Sequence, residues 1–221
     1  MATTEEGSIL PVYKPVGATS FEIVRTVRNR MKIGKVGHAG TLDPLAEGLL
    51  IILTGKKTRL MDEFLKMNKE YLATLQLGVE SKSHDLETPV VSKVQSLNLS
   101  REKIEEVLKE FTGNIEQVPP IYSAKWVDGK RAYDLARRNV DFELKPKVVS
   151  IYKIIPESIA LPFVEVRVVC SSGTYIRSLA RDIGSRLGCG AVLAKLVRTR
   201  IGTYTLDNAI RPEDLKMRDA A

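Results

Sequence analysis

The sequence predicts a mixed α/β domain of the α+β kind, and three observations carry that expectation. Two stretches, Tyr71 to Leu77 and Phe163 to Cys170, alternate apolar residues with period two, as half-buried strands do. Two others repeat apolar residues at helical spacing behind a capping residue, Thr19 or Ser100. Strands and helices also interleave without the regular βαβ rhythm of a parallel sheet. At 221 residues, 43% of them hydrophobic, the chain can bury one sizeable core. The domain is expected over residues 8–210, with flexible ends at 1–7 and 211–221.

In chain order, Thr19-Ser20-Phe21-Glu22 reads as a capping box opening a helix, with Phe21, Val24, Val27 and Met31 on its apolar face. Gly34, Gly37 and Gly40 then read as a glycine-rich loop that ends the helix and takes tight, positive-φ or close-approach conformations. Leu49 to Leu53 is a continuous apolar run, either a buried strand or a core helix. The alternation from Tyr71 gives a strand ending at Gly78. Ser100 caps a helix with Ile104, Val107, Leu108 and Phe111 on one face, stopped at Gly113. Val118-Pro119-Pro120 breaks the chain, and Lys130 to Arg138 forms a short basic helix. Strands follow at Val148 to Ile155 and Phe163 to Cys170. Ile176, Leu179, Ala180, Ile183 and Leu187 mark a last helix, ending at Gly188.

Lysine and arginine number 34 against 27 acids, a net charge of +7, which favours polyanionic partners. The excess gathers at Arg25, Arg28, Arg30, Lys32 and Lys35, and again at Arg177, Arg181, Arg186, Lys195, Arg198 and Arg200. Each cluster adjoins a glycine-rich turn, which suits a nucleic-acid backbone. Two widely spaced cysteines and no secretory signal fit a reduced cytoplasm. No run approaches the roughly 20 apolar residues of a membrane span. Two histidines and two cysteines without paired spacing argue against structural zinc.

Three motif readings fail or weaken on inspection. Gly55-Lys56-Lys57-Thr58 lacks the upstream glycine of a phosphate-binding P-loop, since Leu50 stands there. The G-x-x-G-x-x-G spacing of Gly34, Gly37 and Gly40 is not the dinucleotide fingerprint. Gly34-Lys35-Val36-Gly37 has the form of a KH-type GXXG loop, but such a loop leads into a helix and an apolar strand is expected here. A non-catalytic RNA-binding module of this kind is the alternative reading.

Asp43 is then the informative residue: a carboxylate after Gly40-Thr41-Leu42, biased towards extended backbone by Pro44. Alone it is a turn-former or a catalytic group. Its surroundings, Lys14-Pro15-Val16-Gly17-Ala18-Thr19-Ser20, Gly37 to Pro44 and Leu49 to Thr54, closely resemble the TruB-type pseudouridine synthases. The resemblance continues through Lys69-Glu70-Tyr71, Val118 to Ala124, Gly129 to Arg137, Ser172 to Leu179 and Leu196 to Gly202. It spans about Leu10 to Ile210, in order.

The resemblance implies the pseudouridine synthase fold, a mixed, largely antiparallel sheet with flanking helices and a central RNA-binding cleft. It implies isomerisation of the T-loop uridine of tRNA, on the T-loop and stem, by a monomer needing no metal, nucleotide or organic cofactor. By resemblance Asp43 is the nucleophile, attacking the uracil ring or the sugar. Tyr71 stacks on the base and is the candidate to remove the C5 proton. Tyr175 and Leu196 contact the substrate, Leu196 on the uracil face, and His38 fills the space of the flipped base. Arg177 lies at the edge of its helix's apolar face, a half-buried position for a cation that needs a carboxylate or snorkels; the resemblance pairs it with Asp43. A guide-RNA-dependent relative is a further alternative, less expected without a PUA-type RNA-binding domain, for which the chain is too short. Ala39, Thr88, Lys125-Trp126 and Val197 depart from the family pattern and put details of RNA grip in question.

Overall fold

The computed structural model describes residues 6–123, 125–127, 129–138 and 140–215. Its strands and helices run β1 (Ile9–Lys14), α1 (Ser20–Met31), β2 (Val36–Ala39), β3 (Ala46–Thr54), α2 (Met61–Lys66), β4 (Lys69–Leu77), β5 (Val79–Glu80), β6 (Val91–Ser92), α3 (Arg101–Glu110) and β7 (Gly113–Gln117). They continue β8 (Trp126–Val127), β9 (Lys130–Arg131), α4 (Ala132–Arg137), β10 (Lys147–Ala160), β11 (Phe163–Cys170), α5 (Ile176–Arg186), β12 (Ala191–Ile201) and β13 (Tyr204–Thr205). The main sheet has the order β1-β3-β12-β4-β11-β10-β7, with β2 also on β3 and β13 on β12. β12 lies parallel to β3, whereas β1–β3, β2–β3, β7–β10, β10–β11 and β12–β13 are antiparallel. The sheet is mixed and largely antiparallel, as expected.

The chain divides into two compact units, residues 1–72 with 196–221, and residues 73–195. In the first, β3 explains the uninterrupted run at 49–53. Leu50 and Ile52 pack with Val12, Ile23, Val24, Val27, Val36 and Leu215. Leu49, Ile51 and Leu53 pack on the other side with Ala39, Phe64 and Ile201. A strand buried on both faces needs no polar alternation. Each such side chain contributes about 1.5–3 kcal/mol by leaving water.

Helix α1 has the expected capping box, Thr19 and Glu22 bonding reciprocally. Its buried face is different from the expected one. Ser20, Ile23, Val24 and Val27 are buried and Phe21 is 62% exposed. The cause is Ser20, whose hydroxyl is tied to Leu42 and turns the neighbouring position, about 100° round the helix, outward. The glycine loop is also corrected: residues 36–39 form β2, paired with β3 at 51–54, and of Gly34, Gly37 and Gly40 only Gly40 has positive φ. Because residues 36–39 are strand, the KH reading loses its following helix. Residues 211–215, expected as a loose end, hold a 3-10 turn at Pro212–Asp214 and bury Leu215 against α1 and β3. Residues 1–5 and 216–221, and Ala124 of the Tyr122-Ser123-Ala124 motif, lie outside the described residues.

In the second unit, β11 buries Val164, Val166, Val168 and Cys170 on one face as expected, and α3 buries Ile104, Val107 and Leu108 of its expected face while Phe111, the C-cap, is half-buried. Ser100 caps α3 through Lys103 N–H. The expected basic helix at 130–138 begins two residues late, because Lys130 and Arg131 pair with β8. Trp126 on that hairpin is 63% exposed, with the Arg131 guanidinium 4.2 Å from its ring centre.

Gly48 is one position where only glycine fits: its φ is +110°, and a Cβ there would lie 2.4 Å from the Arg198 carbonyl oxygen. Gly48→Ala should destabilise by about 3 kcal/mol or more, combining a left-handed penalty with a backbone clash. Gly17→Ala, at φ +87° in open space, should cost about 1–2 kcal/mol. Urea unfolding midpoints of the two variants test the ordering.

Candidate active site

Asp43 stands on a backbone in which five consecutive carbonyls each accept a hydrogen bond. Gly40 O accepts from Arg198 Nη2 at 3.0 Å and Thr41 O from Arg198 Nη1 at 3.4 Å. Leu42 O accepts from Ser20 Oγ at 3.1 Å, and the same hydroxyl takes Leu42 N–H at 2.9 Å. Asp43 O accepts from Ala46 N–H at 3.0 Å, and Pro44 O from Gly17 N–H at 2.8 Å and Lys14 Nζ at 3.5 Å. Satisfied carbonyls of this kind leave a loop little freedom to change shape. The Asp43 side chain itself is half-buried.

Two buried cations organise this loop, and the sheet register explains their meeting. Lys14 on β1 and Arg198 on β12 both pair with Gly48 of β3, one from each side. Arg198 is 1% exposed and directs its third bond from Nε to Leu49 O at 2.8 Å. Lys14 is fully buried and also donates to Pro15 O at 2.9 Å and Ala18 O at 2.6 Å. Burial lowers the Lys14 pKa to about 8; Asp43 and Glu47 pull it upward and Arg198 pushes it down. Glu47 in turn accepts from the Tyr13 hydroxyl at 2.5 Å.

Three other expected site residues share this unit. Leu196 is buried on β12 opposite Ala46, the residue whose N–H holds Asp43 O. His38 lies on β2 opposite Ile52, two residues before the Gly40 carbonyl that Arg198 holds. Burial first, then the Arg198 charge, lowers its pKa, which favours a neutral imidazole. Tyr71 is buried on β4 beside Glu70, whose carboxylate accepts from Thr199 Oγ1 at 3.0 Å and Arg200 Nη2 at 3.2 Å.

Arg177 and Tyr175 belong to the second unit. Arg177 is 4% exposed, more buried than its place on the helical wheel suggests. It has a carboxylate there, Asp85, at 3.5 Å, equally buried. Its guanidinium also donates to Ser83 O at 3.4 Å and Tyr122 O at 2.9 Å. Thr88, one of the departures from the family pattern, bonds both the hydroxyl and the N–H of Ser83, which steadies the turn carrying Asp85. Tyr175 caps α5 and donates its N–H to Gln117 Oε1 at 2.8 Å. His84, between Ser83 and Asp85, is held neutral: burial and the nearby Arg181 and Arg177 lower its pKa to about 4.

Sequence reasoning missed the roles of Ser20, Lys14, Arg198, Asp85 and Gln117. The signal for Arg198 was a charged residue in a strand otherwise apolar at 191–197 apart from Lys195.

The model for the TruB family pseudouridylate synthase N-terminal domain matches residues 28–176. The chain belongs to the TruB family. The family's tRNA pseudouridylate synthase B C-terminal domain model matches residues 177–220. Among relatives, tRNA pseudouridine synthase B of Parabacteroides distasonis is 49% identical over 95% of this chain and 92% of its own length. That of Phocaeicola vulgatus is 50% identical with the same coverage. Among solved structures, the matching chain of a Cbf5-Nop10-Gar1 complex superposes with TM-score 0.75 at 32% identity. That match covers 96% of this chain and 54% of the other, so the chain spans about half of that protein's length.

The buried Lys14 gives a pH test. With a folded pKa of about 8 against the ordinary 10.5, the unfolded chain binds more protons between these values. This group's charging cost therefore fades, and its contribution to stability rises, as pH increases from about 8 to 10. Unfolding free energies of the wild type, measured relative to Lys14→Met, should rise over that window by roughly 1–3 kcal/mol. A flat difference would show that Lys14 is not charged against a desolvation penalty.

Proposed function

We propose that the protein isomerises uridine to pseudouridine in tRNA, acting as a monomer in the cytoplasm on the T-loop and stem, with Asp43 as the nucleophile. The observation that carries this reading is the Asp43 loop itself, a carboxylate on backbone held at five successive carbonyls beside two buried cations. Its support in the comparisons is that relatives 49–50% identical along nearly their whole length are tRNA pseudouridine synthases.

The reaction breaks the N1–C1′ bond of the target nucleoside and forms a C5–C1′ bond; the C5 proton leaves and N1 gains one, so no atom is lost overall. Asp43 attacks either the sugar at C1′ or the uracil ring, holding one fragment while the base turns. Arg177, held by Asp85 in its own unit, is assigned the task of keeping the Asp43 carboxylate ionised and placed. Tyr71 stacks on the base and takes the C5 proton, a task that needs a neighbouring group to assist a phenol. Leu196 and Tyr175 hold the base, and His38 fills the vacated stack. Flipping the target out costs a few kcal/mol, which basic contacts to the RNA backbone offset.

Tritium release from tRNA labelled at uracil C5 tests the reading. Wild-type protein alone should release label, and Asp43→Asn should reduce the rate by about a thousandfold or more. Equal release from both would remove Asp43 from the mechanism. No release from either with RNA still bound would favour a binding module, and release only with added guide RNA would favour a guided enzyme. Tyr71→Phe keeps the stacking ring and should lower kcat by about 10²–10⁴ with RNA affinity unchanged. Replacing the T-loop uridine by cytidine should abolish release.

A further inference from the structure

The first turn of α5 gathers polar groups that the reaction leaves unused. Gln117 is 1% exposed at the end of β7, and its Oε1 accepts the Tyr175 N–H at 2.8 Å. An N–H meets only the carbonyl end of an amide, so Nε2 is turned away from Tyr175. That Nε2 is buried with no hydrogen-bond partner among the described residues.

The segment after Gln117 is fastened to the same helix. Val118 O accepts from Ser178 Oγ at 2.8 Å and Arg181 Nη2 at 3.3 Å, and Tyr122 O from Arg177 Nη2 at 2.9 Å. Beside these fastenings lie two more buried polar atoms without partners among the described residues, Ser123 Oγ and His84 Nδ1. Ser123 follows Tyr122, and His84 follows Ser83, whose carbonyl accepts from Arg177. Three of the five such atoms thus adjoin groups bonded to one helical turn. Unmet buried polar groups are rare because each is costly, so the unused Nε2 of Gln117, fixed beside Tyr175, calls for a partner.

We propose that Gln117 is a substrate-contacting residue: its Nε2 donates to an oxygen acceptor of the target nucleotide while its Oε1 fixes Tyr175. This rests on the proposed function, which makes Tyr175 a substrate contact. The acceptor is a uracil carbonyl or a backbone phosphate oxygen of that nucleotide.

Gln117→Glu separates the two ends of the amide. A carboxylate still accepts the Tyr175 N–H, so the cap survives, but the donor becomes an acceptor. Gln117→Met removes both. In the tritium-release assay, run well below each variant's Tm because a buried carboxyl group itself costs stability, Gln117→Glu should lose about tenfold to a hundredfold in kcat/KM. Gln117→Met should lose Tm as well.

A second measurement needs no variant to fold. The chain has three glutamines, Gln76, Gln95 and Gln117. In protein carrying ¹⁵N-glutamine, a saturating T-stem–loop RNA should shift the Gln117 side-chain amide. Replacing the target by 2-thiouridine or 4-thiouridine should diminish that shift if the acceptor is on the base and leave it if the acceptor is phosphate. A Gln117→Glu variant within twofold of wild-type kcat/KM, or a Gln117 amide unmoved by RNA, would overturn the proposal. A wild-type protein that releases no tritium would instead overturn the proposed function.

Discussion

Arg198 carries a permanent charge where almost no water reaches, and directs its hydrogen bonds to the main-chain oxygens of Gly40, Thr41 and Leu49. A guanidinium cannot shed its proton to escape burial, so the surrounding dipoles must solvate it. The loop before Asp43 takes the shape that brings those oxygens inward. Lys14 repeats the arrangement from the opposite side of β3, on Pro15, Ala18 and Pro44, with a softer charge that burial lowers. The proposed nucleophile is therefore positioned by charge solvation. Removing either cation leaves several carbonyls unmet at once, a much larger loss than one hydrogen bond.

The β3 strand makes this possible. Its apolar residues fill both faces from 49 to 53, which fixes it firmly. Its edge is shared, β12 pairing at 46–48 and β2 at 51–54. The same strand thus anchors the segments carrying Leu196, Arg198 and His38. Gly48 permits the close approach at which the Lys14, Gly48 and Arg198 rows align.

Much of this was legible in the sequence because local physics decided it. The cap at Thr19, the alternation in β4 and β11 and the ordered family motifs around Asp43 needed no tertiary information. Misreadings arose where a distant partner prevailed over local pattern. Phe21 belongs to the apolar repeat of α1, yet Ser20 faces inward because Leu42 needs its hydroxyl. Residues 36–39 look like part of a glycine-rich loop until β3 offers them a ladder. Arg198 and Gln117 are invisible as anchors because their partners lie 149–158 and 58 residues away.

Those separations have a consequence for synthesis on the ribosome. The unit holding Asp43 is split in the chain, with residues 73–195 inserted between its two parts. While the first part emerges, the oxygens of Gly40, Thr41 and Leu49 face water, because the residue that gathers them comes 149–158 positions later. A nascent chain can thus form α1, β2 and β3 early and still lack an assembled Asp43 loop. The Gly40 and Thr41 end of that loop is held only after β12 leaves the exit tunnel and docks on β3, making competence one of the last properties the polypeptide acquires.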